Sequence, residues 1–251
     1  MQIIDVNLIE LAISLGLEIW LIVLLLRRGV GHHFPVFFAY TLYAVVSTAA
    51  RLLAVHHYRT YFYVYWWTES PYTLLGFAAL NEAFRWVFEG FYRLWWFRLL
   101  YYGTIAAFLV IAIRNAMVNP PFKAHPLFSL IVVSGTAVDL VQVGIVGLFY
   151  GLTKLLDVEF RRYAFGIAVG FGLSSAGSFI GYWIYYKFGT RFDAFAGNTS
   201  AVSYILAVGL WVTAFIRPEP DEKEWMPPMS PEQMLREVEG YLKALGISRK
   251  K

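Results

Sequence analysis

The sequence has no cysteine and little charge. The absence of Cys among 251 residues excludes disulfides, thiolate catalysis, iron–sulfur ligation and thioether-linked haem. Charged residues make up 15% of the chain, against about 25% in an average soluble domain. Catalytic signatures are missing too. No H-E-x-x-H, G-x-S-x-G or phosphate-loop pattern occurs. In "GHHF" and "GFGLSSAG" the glycine spacing is wrong and no Gly-Lys-Ser/Thr follows. The five histidines, His32, His33, His56, His57 and His125, avoid the middles of the apolar runs, so no cofactor is expected. The one arrangement they would allow is a haem b between His56 or His57 and His125, against the ordinary role of interfacial histidines as headgroup contacts.

What is present is apolar. Hydrophobic residues reach 59% and aromatic residues 19%, with a mean hydropathy of +0.55. The apolar residues come in runs of the length, about 20 residues, that a transmembrane helix needs. The spacing predicts seven spans over residues 6–26, 34–55, 71–91, 94–114, 127–150, 164–186 and 197–216. Pro35 opens the second, and "TESPYTLL" suggests Ser70 as N-cap with Pro71 at the first helical position of the third. "NPPFKAHP" separates the fourth from the fifth. Pro218 and Pro220 end the seventh. The aromatic stretch from Tyr58 to Glu69 either prolongs a neighbouring span or lies along the interface, where Tyr and Trp concentrate. The seventh span contains no lysine, so a retinal Schiff base there is excluded.

The expected fold is therefore all-α: a seven-transmembrane-helix bundle with a short amphipathic helix after it. The N-terminal run lacks a basic leader and a small-residue cleavage site, and reads as a span instead of a cleavable signal. Asp5 precedes that run while Arg27 and Arg28 follow it, which places the N-terminus outside and the C-terminus in the cytoplasm of a cell membrane. Across all segments the bias is modest, eight basic residues inside against six outside before the tail. The net charge of +4 is read as membrane orientation and not as a nucleic-acid footprint.

Residues 1–217 form the expected membrane domain, 218–229 a proline-rich linker, and 230–251 a cytoplasmic helix with a basic tail. Ser230, Pro231 and Gln233 make a capping box, and Gly246 closes the helix. Met234, Leu235, Val238, Tyr241, Leu242 and Leu245 recur at helical spacing. Their face is expected to cover the protein's own loops, the bilayer surface or a cytoplasmic protein partner. In the sixth span Gly166, Gly170, Ser174 and Ser178, with Gly177 and Gly181, give a small-residue ladder that lets a neighbouring helix approach closely.

Polar groups inside the spans carry the functional question. On the predicted boundaries Glu18, Glu82 and Asp139 share one depth, near the midplane of a hydrocarbon layer about 30 Å thick. Arg85 sits at i+3 from Glu82, where the two can pair, and Gln142 lies one turn from Asp139. Such charges cost about 2.5–3.5 kcal/mol each on insertion scales unless paired or hydrated. Three carboxylates against one arginine require a proton, a cation or water to compensate. Three readings follow: a non-enzymatic sensor or accessory subunit; a proton- or cation-coupled transporter or channel using these acids; and an intramembrane enzyme acting on lipid.

Overall fold

The computed structural model describes residues 2–54, 56–118, 126–156, 161–188, 192–218 and 235–236. Among them the chain is helical, without strands. Seven long helices cover the seven expected segments: α1 (Gln2–Arg27), α2 (Pro35–Ala54), α3 (Tyr58–Val87), α4 (Trp95–Val118), α5 (Pro126–Leu155), α6 (Arg162–Phe188) and α7 (Asp193–Ile216). Five contain stretches long and apolar enough to cross a membrane: Ile9–Arg27, Pro35–Ala54, Ser134–Leu155, Arg162–Ile184 and Gly197–Ile216. Their outer faces are apolar. Ile13, Trp20, Val46, Leu53, Leu99, Val110 and Leu206 are all exposed, a surface suited to lipid and costly in water.

Residues 1–218 make one compact unit and 219–251 a second. In the second unit only Leu235 and Arg236 are described, both helical and exposed. The rest of the expected tail helix, including Met234, Val238, Tyr241, Leu242 and Leu245, lies outside the described residues.

The connections bring alternate helix ends together. Arg28, just after α1, donates to the carbonyl of Ile216 at the end of α7, and the Tyr163 hydroxyl at the start of α6 reaches the Arg217 carbonyl at 3.3 Å. Arg161 lies over the Trp86 ring near the end of α3, 4.0 Å from its centroid. This is the Arg27 end of the bundle. The opposite end carries Arg51 and the α2–α3 turn. Between α1 and α2 the chain reverses through Gly29, whose φ of 65° is the left-handed conformation that glycine adopts without a Cβ clash.

One expectation about an element is corrected. α3 does not begin at Pro71 behind a Ser70 cap. It begins at Tyr58 and runs through Pro71 as an internal residue, so the aromatic stretch prolongs the third helix. Proline removes one helical N–H and crowds the preceding turn. Side-chain hydroxyls serve the carbonyls at this turn: Tyr43 of α2 donates to Thr68 O at 3.2 Å, and Thr73 donates to Glu69 O at 2.9 Å.

The helices α1, α2, α3, α6 and α7 enclose an aromatic centre, with α5 behind α6 and α4 outermost against α5. Phe37, Tyr40, Phe171, Trp211 and Phe215 meet at ring-centroid distances of 5.0–6.3 Å. A second aromatic group, Phe84, Phe88, Phe97 and Phe149, is buried where α3, α4 and α5 come together. Small residues on α6 set its distance from α7. A Cβ on Gly170 would lie 2.1 Å from Trp211 Nε1, one on Gly166 2.5 Å from Ala214 Cβ, and one on Gly177 1.9 Å from Ser203 Oγ. Ser178 bonds to Ser200 of α7 at 2.9 Å. Ser174 is half-buried and Gly181 buried.

Candidate functional site

Glu82 is not where the sequence places it. Because α3 ends at Val87 instead of residue 91, Glu82 falls about one and a half turns from its C-terminal end, at the Arg27 end of the bundle. Its Oε1 accepts the Val36 N–H at 3.0 Å and its Oε2 the Phe37 N–H at 2.9 Å. These are first-turn amides of α2, whose first residue, Pro35, has no N–H. Glu82 thus caps a neighbouring helix, with its charge at the positive end of that helix's dipole. Arg85 does not pair with it. Arg85 is exposed, with its guanidinium 5.6 Å from the Tyr92 ring centroid. At i+3 the two could have met, but two aligned amides hold the carboxylate elsewhere. The expected shared depth of three acids fails for the same reason.

Glu18 remains interior. It is 2% exposed, on the face of α1 that meets α2 and α7. Its Oε1 accepts the Tyr204 O–H at 2.6 Å and the Thr48 O–H at 3.2 Å. Its Oε2 is buried and has no hydrogen-bond partner among the described residues. Tyr204 leads onward. Tyr72 of α3 packs against it, ring centroids 6.1 Å apart. Tyr40 of α2 in turn donates its O–H to Tyr72. Three tyrosines from α2, α3 and α7 therefore pack in series beside one carboxylate on α1, Tyr204 alone donating to it.

Beside this chain lies an ion pair that the sequence reading did not single out. Arg51 of α2 meets Glu69 Oε2 of α3 at 2.8 Å. Its Nε and Nη2 also bond Thr68 Oγ1 at 3.0 and 2.9 Å, and its guanidinium lies 4.5 Å from the Tyr65 ring centroid. On α5 and α6, Ser175 donates to Gln142 Oε1 and also lies against Asp139. Gly76 of α3 makes this convergence possible. A Cβ there would stand 3.3 Å from the Tyr40 ring and 3.5 Å from Gln142 Nε2.

Of the predicted polar residues, then, Glu18, Asp139 and Gln142 belong to one polar stratum. Glu82 and Arg85 sit apart from it. The residues missed were Tyr40, Tyr72, Tyr204, Arg51 and Glu69. The tyrosines look like core aromatics in a chain so rich in them, and Arg51 and Glu69 look like boundary residues when α3 is started at Pro71. The one available signal was Arg51 itself, set within the apolar run of α2. His56 and His57 are exposed in the α2–α3 turn, and His125 lies outside the described residues. No group of three His, Asp or Glu among the described residues has metal-holding geometry. Comparison with protein-family models, with curated proteins and with solved structures finds no match.

Proposed function

We propose that this is a seven-span protein of a cell membrane, with its N-terminus outside, acting as a non-enzymatic sensor or accessory subunit whose interior site answers to a small charged species. The seven-span count is supported by connectivity. α2 finishes at the Arg51 end and α5 starts there, so α3 must carry the chain across to the Arg27 end and α4 must carry it back. At about 1.5 Å per residue, helices of 30 and 24 residues exceed a hydrocarbon layer about 30 Å thick. The orientation is supported by the basic residues at the Arg27 end, among them exposed Arg85, against Arg114 and Lys187 exposed at the other end, where Arg51 is paired with Glu69.

The observation that carries the sensor reading is the Glu18 linkage. One buried carboxylate joins α1 to α2 through Thr48 and to α7 through Tyr204. A change in its charge alters two helix contacts together, which is the kind of local electrostatic event that biases a packed bundle. An ion pathway, the second reading, draws on the same acids. Below Tyr40 it would meet the tightly packed rings of Phe37, Phe171 and Trp211, so a closed, responsive core is the better account.

The chain has no native cysteine, so spin labels at His33→Cys and Arg217→Cys, both exposed at the Arg27 end, report on α1–α2 against α7. In bilayers the distance distribution is expected to change with pH or with the monovalent cation present, and to stop changing in Glu18→Gln. An unchanged distribution under all ionic conditions overturns the sensor reading. Cation flux into proteoliposomes would move the conclusion to the ion pathway.

A further inference from the structure

The stratum around Glu18 holds more negative than positive charge. The Arg51 guanidinium is committed to Glu69 and Thr68, and no cation pairs with Glu18 among the described residues. Burying an uncompensated charge in an apolar interior is strongly unfavourable. The deficit is localised on one atom. Glu18 Oε1 has two hydroxyl donors, while Oε2, equally buried, has none among the described residues.

Three occupants would relieve it differently. A proton on Oε2 would neutralise the carboxyl group without filling the space at the buried, unpartnered atom, and the salt titration below separates it from a cation. A divalent ion ordinarily gathers six to eight oxygens and several carboxylates, and here only one carboxylate lies at the atom in need. A monovalent cation fits the charge. It also fits the oxygens at hand: Thr48 Oγ1 gives its proton to Oε1 and keeps lone pairs free, and Ser14 is buried one turn earlier on the same face of α1. We propose that Glu18 Oε2 binds a monovalent cation of sodium size, with the hydroxyl oxygens of Ser14 and Thr48 completing its shell. This rests on the reading of Glu18 as the responsive site and names what it responds to.

The test uses the full chain in detergent or nanodiscs, with sodium chloride titrated against potassium and choline chloride at constant ionic strength. Sodium is expected to raise the melting temperature saturably, as mass action requires of a ligand that binds the folded state, and choline is expected to do nothing. Sodium-23 NMR should show exchange broadening that a Glu18→Gln variant lacks. Ser14→Ala and Thr48→Val should keep the fold and weaken apparent sodium affinity about tenfold or more, which secures the test should Glu18→Gln fold poorly. A sodium response that is absent in the wild type, equalled by choline, or unchanged in all three variants overturns the proposal. The label-distance experiment separates the two readings: sodium binding without movement leaves the cation site standing and removes the sensor, whereas movement driven by pH alone does the reverse.

Discussion

At the residue scale, the two interior glutamates do different work because their oxygens meet different donors. Glu82 spends both oxygens on the backbone amides of Val36 and Phe37, which makes it a structural cap. Glu82→Ala should strand those amides and cost about 1–2 kcal/mol, the usual range for a lost helix cap. Arg85 is exposed and touches only a ring, so Arg85→Ala should cost less than about 0.5 kcal/mol, like other surface changes. The double mutant should be additive within about 0.5 kcal/mol. Reversible unfolding of the four proteins measures this; a larger coupling energy would show that the guanidinium pairs with Glu82 after all. Tyr204→Phe removes the shorter of the two donors to Glu18 Oε1. It should destabilise by about 0.6–1.7 kcal/mol, the range found for hydrogen bonds inside membrane proteins, and a neutral result would mean that Tyr204 only fills space.

At the element scale, α6 and α7 approach closely because glycine occupies α6 opposite Trp211, Ala214 and Ser203 of α7. Trp211 lies in the hollow of Gly170 and donates its indole N–H to the Ile167 carbonyl at 3.3 Å. Gly170→Ala should push the indole away and cost about 1–3 kcal/mol, the overpacking range. Gly147→Ala, where a Cβ would meet nothing within 4 Å, should be neutral or slightly stabilising, since alanine is the better helix former. Equal losses at both positions would trace the effect to something other than the α6–α7 contact, and thermal unfolding of both variants decides it. α3 departs from expectation at the same scale. Proline normally marks a helix start, but the helix continues through Pro71, with the hydroxyls of Tyr43 and Thr73 on the carbonyls of Thr68 and Glu69.

At the scale of the whole molecule, the proposed seven-span path makes a topological prediction. A cysteine at Asn119 should react with an impermeant maleimide added outside intact cells, and one at Glu222 only after the membrane is opened. The reverse pattern at both sites would invert the orientation; matching reactivity would remove a crossing. Deleting residues 219–251 should leave the spans inserted with a melting temperature near that of the full chain, because a proline-rich linker carries few core contacts. Loss of insertion would make the tail part of the membrane domain.

The sequence by itself determined that the chain is helical, that it carries helices long and apolar enough to cross a membrane, and that a small-residue ladder marks its sixth long helix. Hydrophobic run length and the four-residue spacing of glycines are local properties, readable without knowing any neighbour. It also singled out Glu18, since a carboxylate deep in an apolar run has few innocuous explanations. What it left to the tertiary structure was partnership. Sequence spacing offered Arg85 to Glu82, yet the amides of another helix, 45 residues away, were better aligned and took the carboxylate. The tyrosine chain to Glu18 draws on α2, α3 and α7, and the Arg51–Glu69 pair exists only because α3 extends through Pro71. Helix formation follows from short-range chemistry, whereas hydrogen bonds and ion pairs depend on distances of a few ångströms between distant segments, and only the packed bundle sets those.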